Sequence, residues 1–573
     1  MKYSFLFRSR IVLFFVIIFS LILIGKIFLV QIVHGQYYKE TAYRQYATPS
    51  GDIYERGSIY FTRKDGQLVS AATQTAGFKV AINPTKITDK EAVYKKLSGV
   101  TSVDYNNFIS RAGKIDDPYE EVANHINKEE ADAISKLKIA GVSIFKEKWR
   151  FYPGKSLASH VLGLVAYKGD ELGGRYGLER EYNAELLRNN EDHYVNFFAE
   201  VFSNINNTFF KDEAKEGDIV TTIEPNAQSF LEKKLKEVRE KYNVESVGGI
   251  IMNPQDGSIY ALGSQPDFDP NNFSQVKTAT LFGNPLVENV LEFGSVVKPL
   301  NMAAALDAGV VTAGTTYNDR GSVTVEKKEI SNFDKKARGP GTSMQAVLNQ
   351  SLNTGMVFVE QKLGKEKLRN YLFGYGIKDK TGIDLPNETS GLVSNLNSPR
   401  EIEYANASFG QGIALTPMEM VRALSSLSNG GNLVVPHVVS HIKYSDGTFK
   451  EMEYETKPTK ISKETSEEIT RMLVEVMDQY MKGSTANLEN LENFSVAAKT
   501  GTAQVANNTT GGYSEDRNTH SFFGYFPAYD PKFIVFLYAI NPQGVRFATE
   551  TWMNSFLDTT KFLLNYYEIP PDR

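Results

Sequence analysis

A serine hydroxyl and a lysine amine three residues apart share one face of a helix. A neutral amine there can take the hydroxyl proton and turn the serine into a nucleophile. The chain offers this spacing at Ser135/Lys138, Ser143/Lys146, Ser274/Lys277 and Ser295/Lys298, so the pattern alone selects nothing. The surroundings do. Ser135 belongs to a charged, surface-type helical stretch, Ser143 to a short β-like run, and Ser274 follows the turn-rich Asp269-Pro270-Asn271-Asn272. Ser295 opens a segment that is apolar nearly all round, with Val296, Val297, Leu300, Met302, Ala303, Ala304, Ala305 and Leu306. Such a segment reads as a buried central helix, and Pro299 is tolerated because it falls in the first turn. A serine at the positive end of a buried helix is placed to attack a carbonyl and to stabilise the oxyanion that forms.

Lys298 must be neutral to act as the base. From a reference value of about 10.4 that requires a fall of roughly three pKa units, or about 4 kcal/mol. Burial and a second ammonium nearby are the two ways to reach it. Lys-Thr-Gly, which could supply the second lysine, occurs twice. Lys380-Thr381-Gly382 runs into Ile383-Asp384-Leu385-Pro386, a loop signal without a hairpin partner. Lys499-Thr500-Gly501 follows Ser495-Val496-Ala497-Ala498 and continues as Thr502-Ala503-Gln504-Val505, with two further β-like runs behind it. Small residues there let a peptide approach a strand edge, and the lysine and hydroxyls suit a substrate carboxylate. Lys499 is therefore the expected partner. Ser351-Leu352-Asn353 is the only Ser-x-Asn in the chain. It ends a helix opened by the expected capping box Thr342-Ser343-Met344-Gln345, which puts it on an inter-helix loop.

The elements that must position these groups are readable in outline. After residue 218, strands are expected at 219–223, 248–252 and 258–262, the last two joined as a hairpin by Gln255-Asp256-Gly257. Thr416-Pro417-Met418-Glu419 is a capping box that starts a helix ended by Gly430-Gly431. A further helix is expected from Ser462 to Gly483, then β runs at 494–505, 520–526 and 532–540, then an amphipathic helix at 552–566. That order describes an α+β fold, helices packed on a mainly antiparallel sheet. Residues 36–218 are mixed, with a β-like run at 77–83, a charged helix at 127–138 and a glycine-rich passage at 169–177.

Composition narrows the chemistry further. The 573 residues contain no cysteine and 7 histidines, which excludes a disulfide framework, a thiol nucleophile and a thiolate metal site. A net charge of −5, from 63 basic and 68 acidic side chains, argues against a wholesale nucleic-acid binder. Residues 11–33 are almost wholly apolar and long enough to span a bilayer. Lys2, Arg8 and Arg10 precede them, so 1–10 is expected as a cytoplasmic tail with everything after the span outside. A cleaved signal peptide is the alternative, but no Ala-x-Ala site follows the run.

Taken together, Ser295-Val296-Val297-Lys298, Ser351-Leu352-Asn353 and Lys499-Thr500-Gly501-Thr502 resemble, in type and order, the signature of penicillin-binding proteins and serine β-lactamases. Arg56-Gly57-Ser58-Ile59 with Asp65-Gly66, Arg150-Phe151-Tyr152-Pro153, His160-Val161-Leu162-Gly163 and Gly174-Arg175-Tyr176-Gly177-Leu178-Glu179 look like the pedestal motifs of class B penicillin-binding proteins. Gly410-Gln411-Gly412 is similar to another segment of that family. The Ser-Val-Val-Lys-Pro form leans towards the division or sporulation type. The resemblance implies a transmembrane anchor at 11–33, an elongated mixed α/β pedestal or dimerisation-like domain at 34–218, and a penicillin-binding transpeptidase domain at 219–573. It implies a peptidoglycan D,D-transpeptidase in the bacterial cytoplasmic membrane, acting on stem peptides of nascent glycan strands without metal or organic cofactor. β-Lactams would be covalent ligands, and a SEDS-type membrane glycosyltransferase the partner. Ser295 would attack the penultimate D-Ala carbonyl with Lys298 as base. Ser351 and Lys499 would relay a proton to the leaving nitrogen, and Asn353 would orient Lys298. The backbone N–H groups of Ser295 and Thr502 would form the oxyanion hole, and Thr500 and Thr502, beside Gly501, would hold the terminal carboxylate. A D,D-carboxypeptidase, a β-lactamase and a non-enzymatic activator of the glycosyltransferase are the rival readings. Phe293 stands where relatives have proline, and is expected to alter the rim of the pocket.

Overall fold

The computed structural model describes residues 18–20, 23, 26, 55–169, 171–188, 216–444, 446–482, 491–506 and 512–573. The expected tail at 1–10 and, apart from five positions, the expected span at 11–33 lie outside them. Among the described residues no helix is long and apolar enough to cross a membrane. Two compact units emerge, each drawn from separate stretches of chain. Of the described residues, Glu55 and Thr75–Trp149 belong to one, and Arg56–Gln74, Arg150–Arg188 and those described within Asn196–Arg573 belong to the other.

In the smaller unit, helices at Lys90–Ser98, Tyr105–Ala112 and Lys128–Lys136 begin at Asp89, Asp104 and Asn127, whose side chains cap the first turns. Asn127 forms a full capping box with Glu130, so the charged helix expected at 127–138 is present. These helices and the strand Glu120–Ile126 share a core of Val80, Leu97, Phe108, Val122, Ile126 and Ile134.

The larger unit is built on a five-stranded antiparallel sheet. Its strands are β1 (Ser246–Met252), β2 (Ile259–Gln265), β3 (Ala497–Ala506), β4 (Tyr513–Phe526) and β5 (Phe533–Ile540), in the order β2-β1-β5-β4-β3. The central strand β5 has nearly every residue buried, because both sheet faces are covered. Its side chains alternate accordingly. Phe533, Val535, Leu537 and Ala539 join one core with α1 (Pro225–Lys241) and the last helix, α7 (Ala548–Tyr566). Ile534, Phe536 and Tyr538 join the other, with α2 (Lys298–Asp307). The hairpin, the three later β runs and the closing helix are all found, with the closing helix starting four residues earlier than expected.

Three local readings needed adjustment. After α2 and the hairpin of Ser322–Val325 with Lys328–Ser331, α3 (Met344–Asn349) is capped by Ser343, whose Oγ accepts from Ala346 N at 3.2 Å, so the cap is one residue later than Thr342. The capping box at Thr416 and Glu419 is present on α5 (Pro417–Ser425), but the helix stops before Gly430. Ser425, Ser426 and Ser428 each donate to the carbonyl three residues back, a local bond that competes with helix continuation. The strand expected at 219–223 is Gly217–Thr221, and it lies outside the main sheet, parallel to Ile59–Thr62 and antiparallel to Val439–Tyr444. Helix α6 (Lys463–Lys482) runs as expected from a cap at Ser462, whose Oγ accepts from Thr465 N.

Candidate active site

Ser295 lies on a 3₁₀ turn, Gly294–Val297, that runs directly into α2, so Lys298 is the first residue of the α-helix proper. Ser351 lies between α3 and α4 (Asn353–Leu363) with φ +54°, and Asn353 begins α4. Lys499 points from edge strand β3, opposite Phe523 of β4. Four of these side chains, from three separate parts of the chain, converge.

Lys298 Nζ donates to Ser351 O at 2.6 Å and to Asn353 Oδ1 at 2.8 Å, and stands 3.2 Å from Ser351 Oγ. Lys499 Nζ approaches the same Ser351 Oγ at 3.2 Å, and donates to Tyr480 OH at 3.3 Å and Thr500 O at 3.1 Å. Both lysines are fully buried. Burial, with the Lys499 ammonium as a second cause, holds the Lys298 amine well below the ordinary lysine range. A neutral amine has two N–H groups and one lone pair. Two carbonyl-type oxygens take the N–H groups, which leaves the lone pair for a hydroxyl. Ser295 is half-buried one turn before Lys298. Among the described residues no hydrogen bond joins its Oγ to Lys298 Nζ; the partners of Lys298 are Ser351 and Asn353.

Glycines press β3 onto the serine turn. A Cβ on Gly501 would stand 2.2 Å from Phe293 O, and one on Gly294 2.7 Å from Thr502 O. Ser521 Oγ, opposite Gly501, donates to Phe293 O at 2.7 Å. The peptide of Thr502 is thereby held against the turn that carries Ser295. Thr500 Oγ1 is 3.3 Å from Tyr480 OH, and Thr502 Oγ1 accepts from Ala548 N at 3.3 Å. Phe293 does not shape the rim. Its ring is buried edge-on against Phe536, with centroids 5.1 Å apart, so it fills the core beneath the turn.

Two contributors were not foreseen. Tyr480, on α6, bridges Lys499 and Thr500. Asp319 is buried beneath the Ser-x-Asn helix, where it accepts from Thr354 Oγ1 at 2.8 Å, Asn332 Nδ2 at 3.1 Å and Gly321 N at 3.0 Å. Asn332 Oδ1 in turn accepts from Thr354 N, and Ser331 O accepts from Asn353 Nδ2 at 3.0 Å. Asn353 is therefore oriented from behind. The second Lys-Thr-Gly, at Lys380, is a loop. Thr381 N and Oγ1 both donate to Glu388, and Asp384 accepts from Val438 N and Val439 N.

Residues 247–554 match the family model of the penicillin binding protein transpeptidase domain, more than half of the chain. The chain belongs to the penicillin-binding protein transpeptidase family. Ahead of that domain, residues 54–222 match the penicillin-binding protein dimerisation domain, the arrangement of a class B penicillin-binding protein. Stage V sporulation protein D of Bacillus subtilis is 30% identical over 548 residues, covering 94% of this chain and 82% of that protein. The peptidoglycan D,D-transpeptidase FtsI of Buchnera aphidicola is 24% identical over 574 residues, covering 97% and 94%. Penicillin-binding protein 2X of Streptococcus thermophilus has the same fold, with a TM-score of 0.69, 22% identity, and 90% and 80% of the two chains covered. Penicillin-binding protein 3 of Mycobacterium tuberculosis gives a TM-score of 0.67 at 21% identity, with 91% and 98% covered.

Proposed function

We propose that this penicillin-binding transpeptidase cross-links peptidoglycan stem peptides through an acyl-enzyme on Ser295, and that β-lactams acylate the same hydroxyl. The neutral Lys298 amine takes the Ser295 proton as Oγ bonds to the penultimate D-Ala carbonyl carbon. The oxyanion is held by the N–H groups of Ser295 and Thr502, a donor typically being worth about 10²–10³ in rate. A proton passes by way of Ser351, between the two lysines, to the D-Ala nitrogen as its C–N bond breaks. The amine of a neighbouring strand then attacks the ester, restoring Ser295. Thr500 and Thr502 hold the terminal carboxylate. The run at 11–33 anchors the chain in the cytoplasmic membrane, with 34–218 as pedestal and 219–573 as catalytic part outside. A SEDS-type membrane glycosyltransferase supplies the strands.

The observation that carries this reading is the pair of buried lysines sharing one hydroxyl, with Lys298 depressed by burial and by its neighbour. Labelling with a fluorescent penicillin tests it. Wild-type protein is expected to label covalently and Ser295→Ala not at all, and wild type is expected to release D-Ala from stem pentapeptide. A labelled Ser295→Ala protein would refute the nucleophile.

A further inference from the structure

Beside the cleft, the loop 332–338 folds back on Gly321. That glycine has φ +82°, and a Cβ on it would meet Lys335 O at 2.7 Å. The contact brings Arg320 beside Lys335 and Lys336, all three exposed. The acids adjacent to them in sequence are already occupied. Asp334 pairs with Arg338 at 2.8 Å, and Asp319 is buried in the network described above. Among the described residues, Arg320, Lys335 and Lys336 make no ion pair. In a chain with net charge −5, this is a local concentration of free positive charge.

Its position ties it to the reaction. Ser331 O, at the start of the loop, accepts from Asn353 Nδ2. Phe333, 52% exposed, sets its ring edge-on to Phe547 at 5.6 Å. Ala548, next in sequence, donates to Thr502 Oγ1. The loop thus reaches both walls of the cleft, the Ser-x-Asn side and the β3 side.

We propose that Arg320, Lys335 and Lys336 form a docking rim for the carboxylates that a stem peptide carries along its length, besides the terminal one held at β3. This rests on the transpeptidase reading and adds a specificity device to it. Unpaired cations at a cleft mouth raise the local concentration of an anionic substrate and are screened by salt. Acylation of Ser295 by a small β-lactam is the control reaction, expected not to depend on them.

The test compares wild type with Lys335→Glu/Lys336→Glu and with Arg320→Glu. The readouts are D-Ala release from a soluble stem pentapeptide with free side carboxylates, release from the same peptide amidated at those carboxylates, and acylation by fluorescent penicillin. At low salt the double variant is expected to lose about tenfold in kcat/KM on the free peptide, and Arg320→Glu a smaller factor. The loss is expected to vanish in 0.5 M salt, where the Debye length is about 4 Å against about 30 Å at 0.01 M. The amidated peptide and penicillin acylation should change less than about twofold. Equal loss on both peptides, no loss, or a matching fall in penicillin acylation would overturn the proposal. A wild-type protein that neither binds penicillin covalently nor releases D-Ala would instead refute the underlying transpeptidase reading.

Discussion

Ser351 Oγ stands between two buried amines, each 3.2 Å away, and two ammonium charges in that space would repel strongly with little solvent to screen them. Shedding one proton would relieve that repulsion, and Lys298 is the group whose surroundings depress it, burial first and Lys499 second. The pH dependence follows by sign. Below its depressed value Lys298 is protonated and cannot accept from Ser295, so the second-order rate of penicillin acylation should rise with pH through that value and level off well below about 10.4. Lys499→Gln removes the second cause and should move the rising limb to higher pH; an unmoved limb would mean that burial acts alone. Tyr480→Phe deletes a hydroxyl that Lys499 and Thr500 both contact. A loss of about 1 kcal/mol, roughly fivefold in acylation rate, is expected. Away from the site, Glu360 Oε1 is buried and has no hydrogen-bond partner among the described residues, and burial, then Glu401, raises the carboxyl to about 7. A raised acid binds more protons folded than unfolded, so stability falls as pH rises from about 4.3 towards 7. Glu360→Gln should therefore gain more in Tm at pH 8 than at pH 5.

At the scale of elements, the reaction depends on how closely one edge strand meets one turn. Gly501→Ala puts a Cβ 2.2 Å from a carbonyl oxygen, and the backbone on both sides must move. We expect a stability cost of about 1–3 kcal/mol and a fall in acylation of at least about 10² if an oxyanion donor is displaced. Normal acylation by this variant would show that the approach of β3 is not needed. Ser295 and Lys298 were legible from the apolar segment they open and Lys499 from the small residues of its β run, whereas Ser351 and Asn353 stood out only as the one Ser-x-Asn, placed in order between the other two motifs. Tyr480 and Asp319 were not. A tyrosine on an amphipathic helix and an aspartate in a turn-rich stretch have no local signature, and their roles come from packing between distant segments. Phe293 was misread for the same reason: a substitution next to a nucleophile suggests the rim, but the turn aims its ring at Phe536. The early stop of α5 was in principle readable, since three serines in four residues can each bond back to the helix carbonyls.

At the scale of the whole molecule, the larger unit takes in Arg56–Gln74 and Arg150–Arg188 along with the C-terminal residues. Such a division rests on non-local pairing, as between Ile59 and Ile219, which no linear pattern reveals. The β runs of the main sheet, by contrast, are local and were legible strand by strand. Inside this unit Glu179 is fully buried between Arg56 at 2.5 Å and Arg150 at 2.6 Å. Burial alone would raise its carboxyl, but Arg150 and Arg56 outweigh it and the group is lowered. Its contribution is complete above the unfolded value of about 4.3 and is lost as pH falls through the depressed one. Glu179→Gln leaves two buried guanidinium groups short of their counter-charge, and a cost of about 3–5 kcal/mol in unfolding free energy is expected. A variant as stable as wild type would reduce this cluster to a passive contact.

The whole account turns on the protonation of one buried amine. Site-resolved NMR of the Lys298 side chain, followed across pH in the Ser295→Ala protein, measures it without interference from acylation. The account predicts an amine that titrates well below the ordinary lysine value of about 10.4, and moves upward when Lys499 is neutralised. A Lys298 that stays an ammonium up to that ordinary value would contradict it.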